Sequence, residues 1–155
     1  MTCGSDGIGG GSAPTLPAIR DLIPHAGLMC LLDRLVAWDD ARVTTATRSH
    51  LRADNPLLRD GRLHPVNLCE YGAQAVAVHG GLLAHRDGQR VAPGLLVSLR
   101  DVWLAAGSVE RIPDELEVVA TRLHGDASGW QYKFCVCHGD VRLAAGRAAI
   151  VLRRA

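Results

Sequence analysis

One stretch near the middle of the chain constrains the fold most, because it reads as a helix without a polar face. It runs from about Pro65 to Ala84, PVNLCEYGAQAVAVHGGLLA, and carries apolar or small residues on nearly every side. A helix that is apolar all round is stable only when the rest of the protein surrounds it. A proline in the first turn is tolerated there, since that N–H has no helical partner. The sequence therefore predicts one enclosed central helix.

The segments around this helix have the alternation and turn residues of β-strands. AIRDLI predicts a short helix that stops before Pro24. LMCLLDRLVAWDD and RVTTATRSH then predict a hairpin that turns at Asp39-Asp40. Four strand-like segments follow the central helix: LLVSLRDVWLAAG, DELEVVATRLHGD, GWQYKFCVCHGD and VRLAAGRAAIVLRRA. An antiparallel sheet of about six strands that curls round one helix would enclose it. This α+β arrangement is the hotdog fold.

Length and composition limit the remaining possibilities. A chain of 155 residues is about the size of one domain. Residues 1–17 are rich in Gly and Ser and are expected to be a flexible leader, which leaves residues 18–155 as a single domain. A formal net charge of +1 gives no reason to expect a nucleic-acid or membrane partner. We find no His and Cys at metal-ligand spacing and no secretory signal, so a cytoplasmic protein without metal or organic cofactor is expected.

The first half of the apolar helix carries the polar residues Asn67, Glu70 and Gln74. Their spacing places them on one side of the helix, as a sparse polar stripe. Burying a carboxylate is unfavourable unless it is paired. Glu70 therefore either forms an ion pair with an arginine that holds the helix in place, or it takes part in chemistry. The polar stripe favours chemistry, although Asn67 and Gln74 can also be explained by hydrogen bonds within the helix environment.

Two motifs identify a related family. LIPHAGLMCLLDR and, further on, LHPVNLCEYGAQA resemble in sequence and order two motifs of the bacterial β-hydroxyacyl-(acyl carrier protein) dehydratases, over residues 18–152. Within that family, the chain resembles the dehydratase-like proteins of aryl-polyene and related polyketide-type clusters. The resemblance implies a dimer and a substrate carried by acyl carrier protein, with exposed arginines such as Arg59 and Arg62 near the carrier. It also implies that Glu70 is the catalytic acid and that Gln74, on the family's helix glutamine, is a substrate-binding residue.

Two departures from the family decide which other residues are candidates. The loop RDGRLHP is shorter than the family's loop and has no His at the place of the family's catalytic base. Pro65 stands where the family has a Gly whose N–H polarises the thioester carbonyl. His64 and His25 are therefore the candidate bases, against the alternatives of an exposed loop residue and a turn cap. The amides of Val66 and Asn67 are the candidate oxyanion donors.

In the resembling enzymes, the helix carboxylate comes from the other protomer, so we expect the His and Glu70 to meet across the dimer interface. A narrow apolar tunnel beside Glu70 is expected for an acyl chain. It would be formed by the small residues of the helix, Gly72, Ala73, Ala75, Ala77 and Gly80. The other histidines at the ends of predicted elements are expected at the surface, namely His79, His85, His124 and His138.

Three functions stay open at this point. The first is a 3-hydroxyacyl thioester dehydratase of fatty-acid or polyketide-type biosynthesis, most simply a homodimer. The second is a catalytically degenerate hotdog subunit that forms a hetero-oligomer with an active dehydratase and stabilises it, which the shortened loop and Pro65 favour. The third is an acyl-thioesterase, in which Glu70 would activate a water molecule. The fold is common to all three, so only the site can separate them.

Overall fold

The computed structural model of the protein describes residues 15–153. A short helix, α1 (Ile19–Leu22), comes first. The long helix forms where it is predicted, as a 3-10 turn over Pro65–Asn67 that leads directly into α2 (Leu68–Arg86). The six strands are β1 (Arg34–Trp38), β2 (Arg42–Thr47), β3 (Gly94–Leu104), β4 (Leu116–Gly125), β5 (Gly129–His138) and β6 (Val141–Leu152).

All six strands form one antiparallel sheet in the order β1-β2-β4-β5-β6-β3. Helix α2 packs against β2, β4, β5 and β6, so it lies across the middle of the sheet. Tyr71, Ala75, Val78 and Leu82 of the helix are fully buried. The predicted arrangement of one sheet around one central helix is confirmed. It follows from a helix that has few polar residues to show to water.

Strand β3 forms one edge of the sheet and is exposed along most of its length. It pairs only with β6, so its other side carries no strand of the described chain. Its exposed large apolar residues are Leu95, Leu96, Val97, Leu99, Val102 and Trp103. A long, apolar, unprotected edge strand is normally covered by another strand or chain. The predicted dimer stays a prediction, and β3 is where such pairing would take place.

The small residues of α2 do not all face the same way, which corrects part of the predicted tunnel. A Cβ atom on Gly72 would lie 2.4 Å from Cδ2 of Phe134, and one on Gly80 would lie 2.5 Å from the Trp130 ring. Both glycines therefore let the helix approach β5 closely, and Ala75 is fully buried in the core. These three residues pack against the sheet and do not line a tunnel.

His79 is fully buried, so the prediction that it lies at the surface is wrong, whereas His85 and His124 are exposed. The carbonyl of Asp39 accepts a hydrogen bond from Nε2 of His79 at 2.8 Å, so Nδ1 accepts one from the Tyr132 hydroxyl at 2.7 Å. Burial lowers the pKa of His79. A neutral imidazole therefore joins α2 to the β1–β2 turn and to β5.

Of the predicted leader, residues 1–14 lie outside the described residues, and Leu16 packs against the hydrophobic core. Ordered packing thus begins slightly before the predicted boundary at residue 18. Within residues 15–153, no helix is long and apolar enough to cross a membrane.

Candidate active site

Glu70 lies in the first turn of α2, and its partner is a histidine of the same chain. Nε2 of His25 is 3.0 Å from Oε1 of Glu70, and the two side chains are 28% and 33% exposed, respectively. His25 lies in the loop after α1, where its carbonyl accepts a hydrogen bond from the Cys30 thiol at 3.2 Å. Glu70 was expected to be buried, but it is only partly buried, because its side chain is open to a cavity. The pair also forms within one protomer, whereas the family pattern predicted a pair across an interface.

Gln74, one turn further along α2, holds the carboxylate in place. Its Nε2 donates to Oε1 of Glu70 at 3.1 Å and to the Met29 carbonyl at 2.7 Å. Its Oε1 accepts from the Leu31 amide at 3.0 Å. The side chain is fully buried, and both donor hydrogens and the acceptor are occupied. Gln74 was predicted to bind substrate, but in this structure it positions Glu70 and anchors the loop that carries His25.

His64, the other candidate base, has a structural role at the start of the helix. It is exposed, and its Nδ1 accepts from the Val66 amide at 3.0 Å. The Asn67 amide donates to the His64 carbonyl at 2.9 Å. Both predicted oxyanion donors are thus engaged with His64 in this structure. No described contact joins His64 to Glu70, so of the two candidates only His25 reaches the carboxylate.

A cavity of about 750 Å³ begins at the His25–Glu70 pair and continues along α2. Ala73, Ala77 and Gly81 line it at the four-residue spacing of one helix face. Leu96 of β3 and Ile150 of β6 lie on its far side. Ala73 and Ala77 therefore lie on the cavity side of α2, and their contact with an acyl chain stays a prediction. The cavity is large and mainly aliphatic, as a site for an extended acyl chain should be.

The His25–Glu70 pair can transfer protons in both directions. An imidazole nitrogen and a carboxylate oxygen 3.0 Å apart are close enough for a proton to pass directly between them. One group can accept a proton from a substrate while the other donates one, and a proton transfer within the pair then restores its starting state. In residues 15–153, no three His, Cys, Asp or Glu side chains are grouped to hold a metal ion.

Residues 17–153 match a protein-family model described as ApeP-like, ApeP dehydratase. Among solved structures, the dehydratase heterocomplex ApeI:P from Xenorhabdus doucetiae matches with a TM-score of 0.81 and 20% identity, over 90% of this chain and 93% of that chain. AziG from S. sahachiroi matches with a TM-score of 0.59 and 19% identity, over 82% and 94% of the two chains.

A hypothetical thioesterase with coenzyme A from Streptococcus pneumoniae TIGR4 matches with a TM-score of 0.57 and 13% identity, over 77% and 84% of the two chains. No curated protein matches the sequence significantly. At these identities the structures show a shared fold, and the predicted hotdog fold is confirmed.

Proposed function

Because the chain belongs to the ApeP-like dehydratase family, we propose that it removes water from a 3-hydroxyacyl thioester and that His25 and Glu70 carry the proton transfers. The observation that carries the proposal is their contact of 3.0 Å at the end of an aliphatic cavity. A structural subunit would instead be expected to clamp Glu70 with an arginine. Among the described residues, the polar contacts of the Glu70 side chain are with His25 and Gln74, and none is with an arginine.

The elimination needs one proton to leave C2 and one to reach the hydroxyl on C3. In the proposed reaction, Nε2 of His25 accepts the C2 proton, and the carboxyl of Glu70 protonates the departing hydroxyl. The C2–H and C3–O bonds break, the C2–C3 double bond forms, and water leaves. The pair then exchanges its remaining proton and returns to its first state, so no further reactant is needed.

The proposed substrate is an acyl chain on an acyl carrier protein. The cavity along Ala73 and Ala77 would accept the chain, with the thioester near the first turn of α2, where the positive end of the helix dipole favours developing negative charge. Arg59 and Arg62 are exposed on a tight turn and stay the predicted contacts of the carrier.

We further propose that β3 pairs with the β3 strand of a second hotdog subunit. The exposed apolar edge of β3 supports this pairing. One of the matched structures is a dehydratase heterocomplex, so the proposed partner is either a different hotdog dehydratase or a second copy of this chain.

The test is turnover of 3-hydroxyacyl thioesters on a carrier protein, followed by mass. With the wild type, the acyl substrate should lose about 18 mass units, the mass of the one water molecule that the elimination expels. Glu70→Gln keeps the size of the side chain and should abolish the reaction, whereas Glu117→Gln on β4, outside the cavity, should not. Release of the free acid would identify a thioesterase. A folded wild type that leaves every substrate unchanged would identify a degenerate subunit and refute the proposal.

A further inference from the structure

A second cavity of about 530 Å³ lies on the other side of His25 and contains an unpaired arginine. Its lining includes His25, Cys30, Asp33 and Arg52, and we refer to it as the Arg52 cavity. Arg52 follows the 3-10 turn Ser49–Leu51 that comes after β2. His25 lines both cavities, so the Arg52 cavity adjoins the proposed reaction centre.

The guanidinium of Arg52 is in an unfavourable position for a structural residue. Its Nε and Nη2 atoms are closed to solvent and have no hydrogen-bond partner in the protein. A guanidinium keeps its charge at all ordinary pH values, so the missing bonds cannot be avoided by losing a proton. Buried donors without partners are rare in proteins and call for a specific explanation.

Asp33 is the obvious partner within the cavity, but its carboxylate is engaged elsewhere. Oδ2 of Asp33 accepts from the Arg48 amide at 2.6 Å and from the Thr47 hydroxyl at 3.1 Å. No ion pair joins Arg52 to Asp33 among the described residues. The carboxylate instead fixes the end of β2, and the Arg52 side chain is left for another acceptor.

We propose that the Arg52 cavity binds an oxyanion, a phosphate or a carboxylate, on the Nε–Nη2 edge of Arg52. This edge presents two parallel N–H groups, the geometry that binds two oxygens of one anion. Both atoms are closed to solvent in this structure, so binding on this edge requires the Arg52 side chain to turn it toward the cavity. The bound anion supplies the hydrogen bonds that the protein does not.

Two sources of such an anion fit the position beside His25. One is the phosphate of a phosphopantetheine arm, whose thioester would then lie at the His25–Glu70 pair. This source rests on the proposed function. The other is the carboxylate of a free acid that occupies the site without reacting. The anion site itself depends on neither source.

The experiment measures ligand binding by calorimetry and, separately, the Tm of each variant without ligand. The probes are 4′-phosphopantetheine, pantetheine, which lacks the phosphate, and octanoate. The wild type should bind 4′-phosphopantetheine at least about tenfold more tightly than pantetheine, because a bidentate charged contact is lost without the phosphate. Arg52→Met should remove that difference, and Arg52→Lys should keep only part of it. Arg111→Met, an exposed arginine outside the cavity, is the matched control.

Without ligand, Arg52→Met should raise the Tm by about 2–4 °C, since it removes two buried donor atoms that have no partner. Binding of octanoate alone, dependent on Arg52, would support the anion site and assign the carboxylate source. Equal binding of all probes by wild type and Arg52→Met would overturn the proposal, and so would a lower Tm for Arg52→Met. Glu70→Gln separates the two proposals, since it should lose turnover and keep Arg52-dependent binding.

Discussion

Gln74→Leu tests whether one buried amide holds the candidate site together. The substitution removes hydrogen bonds to the Leu31 amide, the Met29 carbonyl and Glu70, at 3.0, 2.7 and 3.1 Å. Leu31 is fully buried, so its amide would be left without a partner at a cost of about 1–3 kcal/mol. The Met29 carbonyl is nearer the surface and adds about 0.5–1.5 kcal/mol. The expected loss in the free energy of unfolding is about 2–4 kcal/mol.

Urea unfolding followed by tryptophan fluorescence, at fixed protein concentration, measures this loss. The matched control is Gln131→Leu on the exposed face of β5, which should change stability by no more than about 0.5 kcal/mol. Gln74→Glu should also be destabilising, because it places a buried carboxylate oxygen against Oε1 of Glu70 and the Met29 carbonyl. If Gln74→Leu were as stable as the control variant, the assignment of Gln74 as the residue that holds Glu70 and the His25 loop would be refuted.

Two further predictions concern pH and packing. Because burial lowers the pKa of His79 in the folded state, the unfolded chain binds more protons below about pH 6.5, so stability should fall as pH drops through that value. His79→Gln should weaken this dependence when the Tm is measured from about pH 8 to about pH 5, a range that spans the usual histidine pKa. An unchanged slope of Tm against pH would contradict the role of His79. Ala73→Leu should block binding of long acyl thioesters with little loss of stability. Gly72→Ala should destabilise the protein by about 1–3 kcal/mol, because the added Cβ would clash with Phe134, and it should leave the cavity unchanged. A stable Gly72→Ala that blocks acyl binding, or a destabilised Ala73→Leu that does not, would contradict the assigned helix faces.

The helix and strands could be predicted because their patterns are local. An all-apolar helix and alternating strands determine which elements form, and one central helix leaves few ways to arrange them. The faces of α2 were harder to predict, since Gly72 and Ala73 are both small. Which of the two contacts Phe134 depends on how the helix is rotated about its axis relative to the sheet. That rotation is set by tertiary packing and cannot be read from a local sequence pattern.

The sequence predicted which residues form the candidate site better than it predicted the contacts between them. His25 and Glu70 stand in the two motifs that carry the family resemblance, but their pairing within one protomer depends on the path of the loop before β1. His79 was misplaced because a histidine within an apolar helix gives no local sign of its buried partners, Tyr132 and the Asp39 carbonyl. The Val66 and Asn67 amides were expected to be available to a substrate, and a side chain and a carbonyl of His64 engage them instead.

The central claim, that one protomer holds both proton-transfer groups, is tested most directly by mixing inactive copies. A dimer of one His25→Ala chain and one Glu70→Gln chain has no complete site if the pair forms within a protomer, so it should not catalyse water loss. A dimer of wild type and the double variant should retain activity at one of its two sites. Recovery of activity in the first mixture, with loss in the second, would contradict the account and place the two groups on different subunits.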